Sequence, residues 1–241
     1  MNSNNSANPT PYSINTSALA SAGPTLFDQA HVERVLTGPR LLSVSRELLI
    51  RSYCLSFAYR FTGDRKYLTA HSTTPKPFVL FRIGTFLFLD VAEMLHGVAI
   101  GYDWLYADLS KADREILREG MKKHGLHEYE KRSGEWWKQS RKQSGIRCNA
   151  GLIVGLGLAE TDPTYAQELV PRAISNLSVA LKNYAPDGLW YEGPAYWSYA
   201  TEYLSYGMAA LESSLGNMQG LEQYPGLRET GLASDGLRSP N

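Results

Sequence analysis

The sequence lacks net charge: 24 Lys and Arg balance 24 Asp and Glu over 241 residues. Proteins that coat nucleic acid carry a basic excess, so this balance argues against a nucleic-acid partner. Cysteine is almost missing. Cys54 and Cys148 are the only two, too few for a disulfide framework or a cysteine zinc site, and they leave the compartment open. A long apolar run is also missing. The stretch from Phe78 to Leu95 is broken by Arg82, Asp90 and Glu93, whereas a membrane span needs about 20 nearly uncharged residues. The five histidines, His31, His71, His96, His124 and His127, show no His-Glu-x-x-His or other tight metal spacing. There is no phosphate loop, dinucleotide fingerprint or Gly-x-Ser-x-Gly elbow. No metal and no cofactor is therefore expected. Residues 1–25 carry neither a basic n-region nor an apolar h-region, so they read as a disordered polar leader and not as a secretory signal.

What is present is a helical pattern. A hydrophobic fraction of 43% is ample for a packed core. Leu42, Leu49, Tyr53 and Phe57 recur at helical spacing before the stop Thr62-Gly63-Asp64. Val91 to Tyr106 forms a second apolar stripe, and Ser110 with Asp113 makes a capping box for a basic helix running to about Tyr129. Cys148 to Glu160 is rich in small residues, with Gly151, Gly155 and Gly157 allowing a neighbour close. Asp162-Pro163 opens a helix to about Tyr184, Pro186-Asp187-Gly188 is a turn, and Pro194 opens the last helix, to Leu215. Six helices joined by short turns predict an all-α fold; a bundle and a toroid of stacked hairpins both fit the periodicity.

Chemistry concentrates in Asp187 to Tyr199, which holds two carboxylates, three tyrosines and two tryptophans. Tyr196, Tyr199 and Tyr203 share one helix face. Such aromatic surfaces stack on sugar rings, and a phenolate near a helix N-terminus is stabilised by the helix dipole. An aromatic core stripe behind a Gly-Pro helix start explains the same pattern. His96 lies beside Glu93, where a satisfied core histidine is the commoner outcome. The charge balance also hides a gradient. Residues 111–147 carry eleven basic and six acidic side chains, and residues 148–241 carry four and ten. That gradient fits a cleft for an anionic ligand, and it fits a solvated helix face equally well.

Phe88-Leu-Asp-Val-Ala-Glu-Met-Leu-His96, Ala99-Ile-Gly-Tyr-Asp-Trp-Leu-Tyr106, Cys148-Asn-Ala-Gly-Leu-Ile-Val-Gly155 and Tyr184 to Tyr199 together resemble the toroid domain of the heparinase II/III-like polysaccharide lyases. The resemblance runs from about Leu49 to Gly231. It implies an incomplete (α/α) toroid over residues 26–231, without the β-sandwich that follows in the family, and an aberrant tail over 232–241. It also implies β-elimination on an anionic, uronic-acid polysaccharide in the periplasm or outside the cell. A base removes the C5 proton once the adjacent carboxylate is neutralised, and a tyrosine protonates the leaving oxygen. By the family's spacing that tyrosine is Tyr196, with Tyr199 as the alternative. Asn149, Trp190, Glu192, Trp197 and His96 are the implied substrate-binding residues. Two other readings remain: an (α/α)-barrel glycoside hydrolase using Asp187 and Glu192, and a non-catalytic carbohydrate-binding or helical interaction module.

The chain departs from the family just before Cys148. Where relatives read Asn-Asn-Trp-Asn-Gln-Val, this chain reads Lys142-Gln-Ser-Gly-Ile-Arg147. Ser144 to Cys148 can be encoded by TCT GGA ATC AGG TGT, which contains TGG AAT CAG GTG, the codons for Trp-Asn-Gln-Val. Phe81 to Thr85, where relatives show Asp-Trp-Asn, can be TTC CGG ATT GGA ACC, which contains CCG GAT TGG AAC. The expectation is that His71–Phe88, Arg141–Arg147 and the tail after Gly231 are frame-shifted remnants. The basic middle then loses Arg141, Lys142 and Arg147 as evidence for a charged cleft. Sequencing the gene across both segments decides it: restored tryptophan and asparagine codons in the shifted frame support the expectation, and their absence ends it.

Overall fold

The computed structural model describes residues 41–73, 88–131, 140–158 and 163–231. The leader over 1–25, the tail over 232–241 and most of the suspected segment His71–Phe88 lie outside the described residues. Among the described residues all regular structure is helical, so the all-α class stands. Helix α1 is Leu42–Thr62, α2 Arg65–Thr73 and α3 Phe88–Leu105. Helix α4 begins as Lys111–Gly120, passes through a π-helical stretch at Met121–Leu126 and ends as His127–Lys131. Then come α5 (Gln143–Leu158), α6 (Pro163–Leu181) and α7 (Pro194–Leu215).

Local chemistry accounts for several of these boundaries. The start of α1 has no side-chain cap of its own. Asp90, in the first turn of α3, supplies one: its carboxylate accepts from the Leu41 N–H at 2.9 Å, and its carbonyl accepts from Ser45 Oγ at 2.9 Å. Gly63, at φ 70°, ends α1 in the left-handed conformation that glycine adopts without strain. Ser110 Oγ accepts from the Asp113 N–H at 3.1 Å, the predicted cap of α4. Pro194 opens α7 as expected, and Gly216 closes it.

Differences from the sequence reading have physical causes. Helix α2 is short, and among its described side chains Tyr67 and Leu68 are the buried ones, so it leaves little periodic signal. Helix α5 starts at Gln143, not Cys148, because Ile146 and Arg147 both turn into the interior. Pro171 lies inside α6. It is the ninth of the helix's 19 residues, and α6 continues past it while packed against α5. The π-helical stretch in α4 has no sequence marker.

Odd-numbered helices form one layer. The chain leaves each and returns beside it, so α3 packs on α1, α5 on α3 and α7 on α5. The even helices form a second layer, with α2 against α1, the π-helical stretch of α4 against α3, and α6 against α5. Helix α3 is covered on both sides, and it buries Ala92, Leu95, Ala99 and Leu105 completely. Two glycines of α5 permit this closeness. A Cβ on Gly151 would lie 2.8 Å from the Ala92 carbonyl oxygen, and one on Gly155 would lie 2.5 Å from Leu95 Cγ.

Backbone cannot yield as a side-chain tip can, so Gly151→Ala should destabilise the protein by about 1–3 kcal/mol. An exposed helical glycine replaced by alanine would instead stabilise by roughly 1 kcal/mol. Urea unfolding of the variant measures this, and an unchanged or higher midpoint contradicts the α3–α5 contact.

Candidate functional site

Helices α1 and α7 end the odd layer and are not close backbone neighbours. Their long side chains meet over α3 and α5. At one end of this seam, Arg46 of α1 lies 4.9 Å from the ring centre of Tyr199 on α7. Arg147 of α5 lies 4.6 Å from the same ring and 5.0 Å from that of Tyr203. Beneath them is Glu93 of α3, which has no exposed side-chain surface. Arg147 pairs with it, and Arg46 approaches it at 3.6 Å. Farther along, Tyr53 of α1 stacks on Tyr206 of α7 with ring centres 5.4 Å apart and meets Trp104 of α3 edge-on at 5.5 Å.

His96 lies between these two ends. It is fully buried, its Nε2 is 2.8 Å from Tyr53 Oη, and its ring meets Tyr203 and Tyr206 edge-on. Desolvation holds its pKa down to about 3, so at neutral pH it is an uncharged hydrogen-bonding ring. Burial pushes Tyr203 up to about 12, against the pull of Arg147 and Arg46. It likewise lowers the pKa of the Arg147 guanidinium from its ordinary value.

The tyrosines singled out by sequence fall on this seam at different depths. Tyr196 is 49% exposed, Tyr199 is half-buried under the two guanidinium groups, and Tyr203 is buried. Glu192 is anchored beside the start of α5. Its Oε2 accepts from the Gln143 N–H at 2.7 Å and from Trp190 Nε1 at 3.0 Å. Gln143 Oε1 in turn accepts from Arg147 Nη1 at 3.3 Å, so Glu192 reaches the arginine cluster through one intermediate.

The remaining candidates serve other contacts. Trp190 is buried against Tyr184. Trp197 donates to Thr230 Oγ1 at 2.6 Å, and Thr230 donates to the Gly188 carbonyl at 2.7 Å, which clasps the 187–193 turn to the last described residues. Asn149 is fully buried on the opposite side of α5 from Arg147. Its Oδ1 accepts from Tyr129 at 3.2 Å and from Asn176 at 3.3 Å, and its amide donates to the Gly145 carbonyl at 2.8 Å. Asp187 is exposed, with Oδ1 accepting from the Leu189 N–H at 3.2 Å.

Sequence reasoning missed Arg46, Glu93, Arg147 and the Tyr53–Trp104–Tyr206 end of the seam. Glu93 did carry a signal: a carboxylate on a mostly apolar helix needs a cationic partner if it is buried. Nothing in the linear order named Arg46 and Arg147 as those partners. Among the described residues no group of three His, Cys, Asp or Glu side chains could hold a metal ion, and no helix is long and apolar enough to cross a membrane. No protein-family model and no curated protein matches the chain.

Proposed function

We propose that this chain is a toroid-type helical domain of the polysaccharide-lyase kind, directed at uronic-acid polysaccharides, with little turnover of its own. The observation that carries the reading is the pair Tyr196 and Tyr199, one helical turn apart at the edge of the seam, with guanidinium groups against the inner ring. β-Elimination needs a tyrosine that exchanges a proton with the sugar and a positive environment for the sugar's carboxylate. The alternate-helix layering supports the toroid part, since stacked hairpins of an (α/α) toroid bring every second helix side by side. Tyr196 is the solvent-facing phenol and the first candidate for proton transfer. Tyr199 is the second, with Arg46 and Arg147 against its ring.

Low turnover follows from what faces these phenols. Asn149 is turned away and fully hydrogen-bonded, and Arg147 is already paired with Glu93. A C5 proton beside a poorly neutralised carboxylate is only weakly acidic. The hydrolase reading draws less support. Glu192 accepts from the Gln143 N–H at the start of α5 and from Trp190, and Asp187 accepts from the Leu189 N–H, so both carboxylates serve local structure.

The assay is incubation with a panel of uronic-acid polysaccharides, following the ultraviolet absorbance of unsaturated uronate. Absorbance at or barely above the protein-free rate is expected. A robust rise that disappears in Tyr196→Phe would overturn the low-turnover part while establishing the chemistry. New reducing ends without unsaturation would favour the hydrolase, and binding with no product would favour a non-catalytic module.

A further inference from the structure

A second cleft lies away from the seam. Helices α6 and α7 both pack on α5 and are not close backbone neighbours of each other, and a cleft of about 540 Å³ opens between them. Ile153 and Leu156 of α5, with Ala210 and Leu211 of α7, are buried and form its depth. Val170 and Ile174 of α6 are packed against the core along the other side. That volume and lining match small-molecule sites, which enclose about 300–1,000 Å³ and are mostly apolar with a few polar groups in fixed places. Among the described residues no charged side chain lines the cleft, so nothing there would offset the desolvation of a charged ligand.

The polar groups of the lining specify the ligand further. Pro171, inside α6, has no N–H, so the carbonyl of Gln167 four residues earlier lacks its helical donor. Both residues line the cleft. Gln219 lines it just beyond the end of α7 and is the one non-glycine residue with a positive φ among the described residues, at 58°. Asn217 Oδ1 holds it there, accepting from its N–H at 2.9 Å and from its side-chain amide, which leaves Gln219 Oε1 to accept. Both groups therefore need a donor. We infer that the α5–α6–α7 cleft binds an uncharged amphiphile, its apolar body between the helices and its hydroxyl or amide head donating to these acceptors. An ionised carboxylate has no proton to offer either of them. The site shares no side chain with the seam and does not depend on the carbohydrate reading.

Fluorescence titration of the full chain with the neutral dye N-phenyl-1-naphthylamine tests this, with 1-decanol, decanamide and decanoate as competitors at pH 8. One saturable site is expected. Decanol and decanamide should displace the dye at concentrations about tenfold or more below those decanoate needs, the scale of one buried acceptor left unpaired. Ala166→Trp and Ser214→Trp fill the cleft from opposite walls, and each should abolish saturable binding. Gln219→Gly should weaken decanol several-fold yet leave the unfolding midpoint unchanged or higher, because glycine adopts that φ without strain. A merely structural role for Gln219 predicts the reverse. Absence of saturable binding by the unaltered chain overturns the site, and binding that survives in both tryptophan variants places the dye elsewhere and overturns the assignment. Decanoate competing as well as decanol overturns the ligand class. Self-association of the unaltered chain on sedimentation, lost in the tryptophan variants, would give the cleft to a second copy and overturn the small-molecule reading. The competition on the unaltered chain tests the ligand class even if a variant fails to fold.

Discussion

Glu93 is a carboxylate with no solvent-accessible surface, placed on α3, which packs between α1 and α5 and against the π-helical stretch of α4. An unpaired charge there would cost several kcal/mol, on the order of its effective desolvation penalty. The pairing that offsets this cost draws on every helix of the odd layer. Arg46 comes from α1, Glu93 from α3, Arg147 from α5, and the aromatic rings covering both guanidinium groups come from α7. One cluster thus draws on all four helices at once, beside the pairwise bonds of Asp90 with Leu41 and Ser45 and of Tyr53 with His96 that join α1 to α3. Replacing such a group by well-packed apolar residues is often neutral, so its contribution lies in geometry more than in net stability.

That geometry links fold to function. Close approach at Gly151 and Gly155 brings α5 against α3, which puts Arg147 within reach of Glu93. Helix α7 is fixed at its N-terminal end by the Trp197–Thr230–Gly188 clasp and by Glu192 on the start of α5. Tyr196, Tyr199 and Tyr203 then run from solvent into the layer. The hydroxyl-bearing rings and the guanidinium groups face one seam, while Asn149 and its partners Tyr129 and Asn176 bind α4, α5 and α6 together on the other side. The polar side chains of α5 are therefore divided between the α4–α6 side and the seam.

Much of the helical framework was legible in sequence because its signals are local. Gly63, the Ser110 cap and Pro194 mark boundaries through backbone chemistry that acts within a few residues. The aromatic segment 187–199 was legible as a place, but the roles of its members were not. Trp190 and Trp197 are bound in contacts with Tyr184, Glu192 and Thr230, and only the fold distinguishes those rings from the exposed Tyr196. Arg147 shows the limit most clearly. It falls in a segment that departs from the family pattern, which made it look foreign. Whatever the reading frame of its gene, in this chain it is the buried counter-charge of a residue 54 positions earlier. No spacing rule connects the two.

The central claim is that Glu93 and Arg147 act as one unit that organises the seam. A double-mutant cycle on unfolding free energy, with Glu93→Gln, Arg147→Gln and the pair, tests it most directly. Each single change leaves a buried charge unmatched and should cost about 3–5 kcal/mol. The double variant should be at least about 2 kcal/mol more stable than the sum of the single losses implies. Strictly additive losses would mean that the two groups do not depend on each other, and the account of how α1, α3, α5 and α7 are held in register would fail.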